Sequence, residues 1–137
     1  MYKVTVVYRA LKPGQRFDER HYHEVQLAKA LSFLGRYRCQ KIELTKAVTD
    51  VPERVATGWP ETIYRTMELW FDTLEDLRAC IFSPEMRQLD EGFRDRAFYD
   101  RDVESFIGEV ERYEFANGTL VAAHGPWAAY FADQTGR

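Results

Sequence analysis

Residues 2–9, YKVTVVYR, alternate with a two-residue period. Tyr2, Val4, Val6 and Tyr8 share one face, and Lys3, Thr5, Val7 and Arg9 share the other. Such alternation in a Val- and Tyr-rich run predicts a strand. Lys12-Pro13-Gly14 stops it, and Asp18 is placed to cap a helix running to about Leu34. A second strand is expected over about Tyr37–Leu44 and a third over Ile63–Phe71. Between them, residues 45–62 carry Pro52, Gly58 and Pro60 and show no period. They predict a long loop, of the sort that covers a site or an interface.

After the third strand, Asp72-Thr73 offers a helix cap, with Asp76 as its capping-box-like partner, and Leu74, Leu77 and Ile81 recur at helical spacing. Ser83-Pro84-Glu85 restarts a helix in which Met86, Leu89, Phe93 and Ala97 form the apolar stripe. Phe106 to Phe115 reads as a further strand. The order is β-α-β, then β-α(α)-β, which is the ferredoxin-like arrangement of the α+β class. It predicts an antiparallel sheet with its helices on one face. The other face carries aromatics, and a second copy of the chain is the economical cover for it. Asn117-Gly118 signals a type I′ hairpin leading into a strand from Thr119 to about Ala123, and WAAYFA reads as a short apolar helix or clasp. We therefore divide the chain into a ferredoxin-like domain, 1–116, and an extension, 117–137, packing on its own domain or on a partner.

Composition supports one folded domain: 137 residues, 45% apolar and 15% aromatic. The aromatics fill a core or wall a pocket for a flat apolar molecule. A net charge of -3 with interspersed signs gives nucleic acid no basic stripe to bind. Cys39 and Cys80 are far apart and read as reduced thiols. With no signal-peptide pattern at the N-terminus and no bilayer-length apolar run, a cytoplasmic protein without membrane association is expected.

No dinucleotide, Walker, nucleophile-elbow or zinc motif occurs, so no cofactor and no metal site is expected. His21 and His23 are two apart on a helix and point in different directions. Tyr22, Gln26 and Ala30 form one i,i+4 row of that helix, while His23 shares a row with Leu27 and Leu31. This predicts a half-buried, neutral His23 able to take a proton near pH 7, or else a histidine bonded to backbone. If the aliphatic faces of the second and third strands meet the helices, Tyr37, Cys39, Glu68 and Trp70 line the interior between two copies. Glu68 there needs a partner, for which Arg9 and Lys41 are candidates.

The segments VTVVYR, FDxxHYHEVQLAKAL…LGRY, ELWFDTLEDLRAC and the following SPE resemble the EthD family, small dimeric α+β barrels named for ether degradation. The resemblance covers most of residues 1–112. It implies a homodimer with a pocket for a small hydrophobic or aromatic molecule. The family and its relatives are associated with oxidation accessory roles, cofactor-free oxygenation, and lactone isomerisation or polyketide cyclisation. Tyr22 and Tyr37 match family tyrosines. The family's Tyr-x-x-x-His becomes Tyr22-x-x-x-Gln26 here, and a glutamine cannot shuttle protons. The expected function is cofactor-independent oxidation, of monooxygenase type, of a small aromatic or polyketide-like substrate. Cyclisation or isomerisation in the same pocket, and a non-catalytic binding or accessory dimer, are the alternatives. His23, Tyr37 and Glu68 are the catalytic candidates, with Tyr22, Gln26, Cys39, Trp70 and Arg9 as substrate-binding candidates.

Overall fold

Two Val- and aromatic-rich strands form the middle of the sheet. In the computed structural model, which describes residues 1–9, 18–46, 63–95 and 103–134, β1 (Tyr2–Arg9) pairs antiparallel with β3 (Ile63–Phe71). β2 (Lys41–Lys46) pairs with the free edge of β3, and β4 (Val103–Glu109) with that of β1. The order β2-β3-β1-β4, antiparallel throughout, is the ferredoxin-like sheet. The expected fold class holds: an α+β chain with the ferredoxin-like arrangement.

Register decides which side chains meet the helices. Val4 faces Leu69 and Ile107 across the sheet, and Val6 faces Met67 and Ser105. Because side chains alternate, these even positions of β1 and odd positions of β3 share one side. Helix α1 (19–37) and helices α2 (Leu74–Ile81) and α3 (Pro84–Asp95) cover that side. Val4, Ala30, Phe33, Leu34, Leu69, Phe71, Leu77 and Cys80 form the main core. Tyr8 and Tyr22 form a second, smaller cluster with Val6, Leu44, Met67 and Val103 around them.

The helix starts follow the expected caps. Asp18 Oδ1 accepts from His21 N at 3.0 Å, and Thr73 Oγ1 accepts from Asp76 N at 3.1 Å. The buried Ser83 hydroxyl accepts from Met86 N and donates to the Cys80 carbonyl, so it joins the end of α2 to the start of α3. α1 is not uniform: α-helical at Glu19–His21 and Ala28–Phe33, it widens to a π-helix over Tyr22–Leu27 and tightens to a 3-10 turn over Leu34–Tyr37.

Three expectations change. The second strand starts at Lys41, because the 3-10 turn takes Tyr37 and ends on Arg38 in the left-handed region (φ 61°). The expected strand from Phe106 to Phe115 is two, β4 and β5 (Arg112–Ala116), interrupted at Val110-Glu111. β5 leaves the main sheet and pairs with β6 (Thr119–His124). Their turn has positive φ at both Asn117 (51°) and Gly118 (78°), as a type I′ hairpin requires. The last helix, α4 (Ala128–Gln134), packs on β6, and Phe131 stacks edge-on against Tyr113. The long loop expected over 45–62 is described only for its first two residues, which belong to β2. Ala97 and the Phe93 side chain of the expected α3 stripe lie outside the described residues.

Candidate functional site

A cavity of about 120 Å³ lies between the sheet and α1 and α3. Its apolar wall is Val6, Leu27, Ala30, Met67, Met86, Leu89 and Val103; Tyr8, Tyr22, Gln26 and Asp90 are its polar residues. Tyr22 and Gln26, four residues apart within the π-helical stretch, both point inward and are only 3% and 5% exposed. Short π-helical stretches recur at functional sites, where they re-aim side chains without ending the helix.

The two phenols meet edge to face, with ring centroids 6.0 Å apart, and hydrogen-bond one another. Tyr22 also donates to Met67 Sδ at 3.7 Å, a weak bond that a ligand oxygen can replace. Burial pushes the Tyr8 phenol well above its ordinary value, and the neighbouring Tyr22 and Asp90 add to this. Burial likewise raises Tyr22, opposed by its hydrogen bond with Tyr8 and by the Arg65 guanidinium 5.0 Å from its ring. Both phenols therefore stay neutral donors near pH 7, and Arg65 makes Tyr22 the stronger donor.

Arg65 is itself buried, 4% exposed, on the helix face of β3. A buried guanidinium needs a counter-charge, and Glu19 supplies one through two contacts of 2.6 Å from Nη2. Lys46, opposite Arg65 on β2, lies 3.9 Å from the same carboxylate. Asp90, exposed at the cavity rim, is the one carboxylate lining the cavity among the described residues.

Of the candidates whose side chains are described, Tyr22 and Gln26 line this cavity and His23, Tyr37, Cys39, Glu68 and Trp70 lie elsewhere. His23 lies on the exposed side of the helix rather than among buried aliphatics: its side chain is 46% exposed, and Leu31 is 56% exposed. The i,i+4 row that turns inward is Tyr22-Gln26-Ala30; of the next row, Leu27 reaches the cavity wall while His23 and Leu31 stay exposed. His23 Nδ1 lies 2.8 Å from the Glu19 carbonyl and so carries a proton donated to it. Tyr37 and Cys39 precede β2, so strand alternation does not aim them at the open sheet face. Tyr37 packs on the main core and donates to Glu85 Oε2 at 2.5 Å; this bond raises the phenol and lowers the carboxyl. Cys39 Sγ donates to the Lys41 carbonyl at 3.4 Å, and burial pushes its thiol up.

Glu68 and Trp70 do face away from the helices, as expected. The partner of Glu68 is Lys3, at 3.2 Å, rather than Lys41, which pairs with Glu43 at 2.9 Å. The Arg9 side chain lies outside the described residues. Lys41, Lys3 and Arg112 crowd the Trp70 ring at 4.2, 4.9 and 5.4 Å. On that face the Trp70 ring is thus clad with cations.

Sequence reasoning missed Tyr8, Arg65 and Asp90 as site residues. Arg65 had a usable signal: it occupies the same alternating row as Met67, Leu69 and Phe71, a charged residue on an otherwise apolar face. Tyr8 stands at the end of an apolar row and reads as core. Asp90, next to Leu89 on a helix rich in charge, looks like any solvated carboxylate.

No protein-family model matches the sequence, and no curated protein matches it significantly. Solved structures do match. An EthD family protein of Bacillus halodurans aligns over 80% of this chain and 98% of its own, at 22% identity and TM-score 0.57. An EthD-like protein of Ralstonia eutropha aligns over 81% and 94%, at 25% identity and TM-score 0.56. A dimeric protein of unknown function and ferredoxin-like fold from Bacteroides fragilis aligns over 80% and 95%, at 14% identity and TM-score 0.50. The chain has the EthD-like fold. No helix among the described residues is long and apolar enough to cross a membrane.

The raised phenols set a pH dependence. Their folded values lie above the unfolded ones, so the stability tied to the protonated phenols is complete below about pH 10 and is lost above it. In an alkaline titration followed by tyrosinate absorbance, Tyr8→Phe and Tyr22→Phe should remove signal only from the late phase that accompanies unfolding. Signal lost from the early phase in either variant would contradict the burial of that phenol.

Proposed function

We propose that the helix-side cavity binds one small, largely apolar molecule carrying an acidic C–H or O–H, and that the protein catalyses a cofactor-independent reaction beginning with removal of that proton. The observation that carries this reading is the lining itself: seven apolar side chains around two neutral phenols, one carboxamide and one rim carboxylate. Pockets for small molecules have this character, an apolar wall with few polar groups that fix orientation. The EthD-like fold of structural neighbours supports it.

In this reading Asp90 takes the proton, and the charge left behind collects on a ligand oxygen. Tyr22 exchanges its bond to the Met67 sulfur for one to that oxygen, and Arg65 behind its ring strengthens the donation. A donor fixed in place before charge develops lowers the barrier, because it needs no reorganisation. The resulting enolate or phenolate either reacts with molecular oxygen, one oxygen atom entering the substrate as a carbonyl and the other leaving as water with two substrate hydrogens, the monooxygenase-type outcome, or attacks a second, electrophilic carbonyl carbon of its own, whose π bond opens as the new C–C bond forms, the cyclase or isomerase outcome. His23, on the outer side of α1, takes no part in either.

With the substrate in hand, Asp90→Asn should lower kcat at least a hundredfold with binding retained, and Tyr22→Phe should lower it by about a hundredfold. Wild-type kcat in Asp90→Asn would reject the base assignment, and ligand binding with no turnover by the wild type would make the protein a binding module. Product formed under strict anaerobiosis would reject oxygenation and leave cyclisation or isomerisation.

We further propose a homodimer formed through the open sheet face; one structural neighbour is a dimeric protein. Phe106 is 56% exposed on that face, Phe115 on β5 is 68% exposed, and the extension presents Trp127 and Tyr130 at 59% and 53% exposure. These rings gain cover if the β5–β6 hairpin and α4 lie along a second copy. Phe106→Glu should convert the dimer to a monomer in sedimentation analysis; an unchanged dimer would place the interface elsewhere.

A further inference from the structure

Gln26 presents a hydrogen-bonding demand that the protein does not meet. Its Oε1 is buried and accepts no hydrogen bond among the described residues, although the residue is only 5% exposed and lines the cavity. An unsatisfied buried acceptor carries a desolvation cost, and native structures rarely tolerate one without a use. The neighbouring groups do not answer it: the two phenols bond each other, and Tyr22 turns to Met67. Nor is Gln26 a good filler. Leu or Met occupies that space at no polar cost, as Leu27, Met67, Met86 and Leu89 do along the same wall.

We infer that Gln26 is the specificity-determining residue of the cavity and selects ligands that present a hydroxyl, a phenol or an enol, over ligands of the same shape without one. A hydroxyl can donate to Oε1 and, as an acceptor, also answer the amide nitrogen, so it suits both ends of the carboxamide. A methyl group or an ether oxygen leaves Oε1 unpaired. Sites built to bond a hydroxyl reject the analogue lacking it far better than apolar pockets discriminate by size. The inference rests on the helix-side cavity being the ligand site and adds the class of ligand; it is independent of the roles given to Asp90 and Tyr22.

Three probes of similar size separate the possibilities: phenol, which donates and accepts; anisole, which only accepts; and toluene, which does neither. Their dissociation constants should be measured by calorimetry or ligand-observed NMR on wild-type protein and on Gln26→Met, with Gln26→Leu as a second apolar variant. Wild-type protein should prefer phenol to anisole in spite of phenol's stronger hydration. Gln26→Met should shift the phenol-to-toluene ratio by about tenfold toward toluene, with toluene binding kept. An unchanged ratio in the variants, or anisole binding the wild type as tightly as phenol, would overturn the inference and leave the cavity reading intact. If no probe binds, the cavity reading itself fails and takes the inference with it. The phenol–anisole comparison needs no variant, so it decides the matter even where a substitution spoils folding.

Discussion

Val6 lies opposite Met67, and Tyr8 lies opposite Arg65, across the central strand pair. A slip of one residue here would turn one strand over against the other, sending either Lys3 and Thr5 or Glu68 and Trp70 toward the helices. This register therefore divides the molecule. One side becomes a core of aliphatics and aromatics under three helices. The other becomes a face on which Lys3 pairs with Glu68 and cations crowd Trp70. The site sits where the apolar side gives out, since the rows ending in Tyr8 and Arg65 bring a phenol and a guanidinium beneath α1.

What those groups cost explains how they are arranged. Burying Arg65 is tolerable because Glu19 reaches it with two short contacts, and Arg65 in turn steadies Tyr22. Tyr8 and Tyr22 satisfy one another. Gln26 Oε1 on the cavity wall has no such partner among the described residues, and Gln26 lies on the same inward row as Tyr22 where the helix widens. A row that an ordinary amphipathic helix would fill with aliphatics instead carries a phenol and an amide. Local rules fail most often where a protein has a use for the failure.

Much of the fold was legible because it depends on local patterns. Alternation in YKVTVVYR, capping at Asp18, Thr73 and Ser83, and the Asn117-Gly118 turn each act over a few residues, and each formed as expected. The start of β2 was less legible. LGRY closes α1 with a 3-10 turn, and only the left-handed Arg38 releases the chain into the sheet; nothing in the pattern of apolar residues marks that step. The site was half legible. The row Tyr22-Gln26-Ala30 was visible, but choosing it over His23-Leu27-Leu31 as the inward row depends on where α1 lands on the sheet. Arg65 and Asp90 come from separate elements and meet Tyr22 only through tertiary packing. The expected site between two copies assumed a strand phase for Tyr37 and Cys39 that the turn before β2 removes.

The central claim is that the space between sheet and helices is a ligand cavity. Its walls hold Met67 and Met86, whereas Met1 lies at the far end of β1. Methyl-labelled methionine gives three NMR signals that divide on this point, since the chain has three methionines. Titration with toluene should shift the Met67 and Met86 methyls saturably and leave Met1 unmoved. Shifts at Met1 alone, or no shift at Met67 and Met86 up to the solubility limit, would contradict the account.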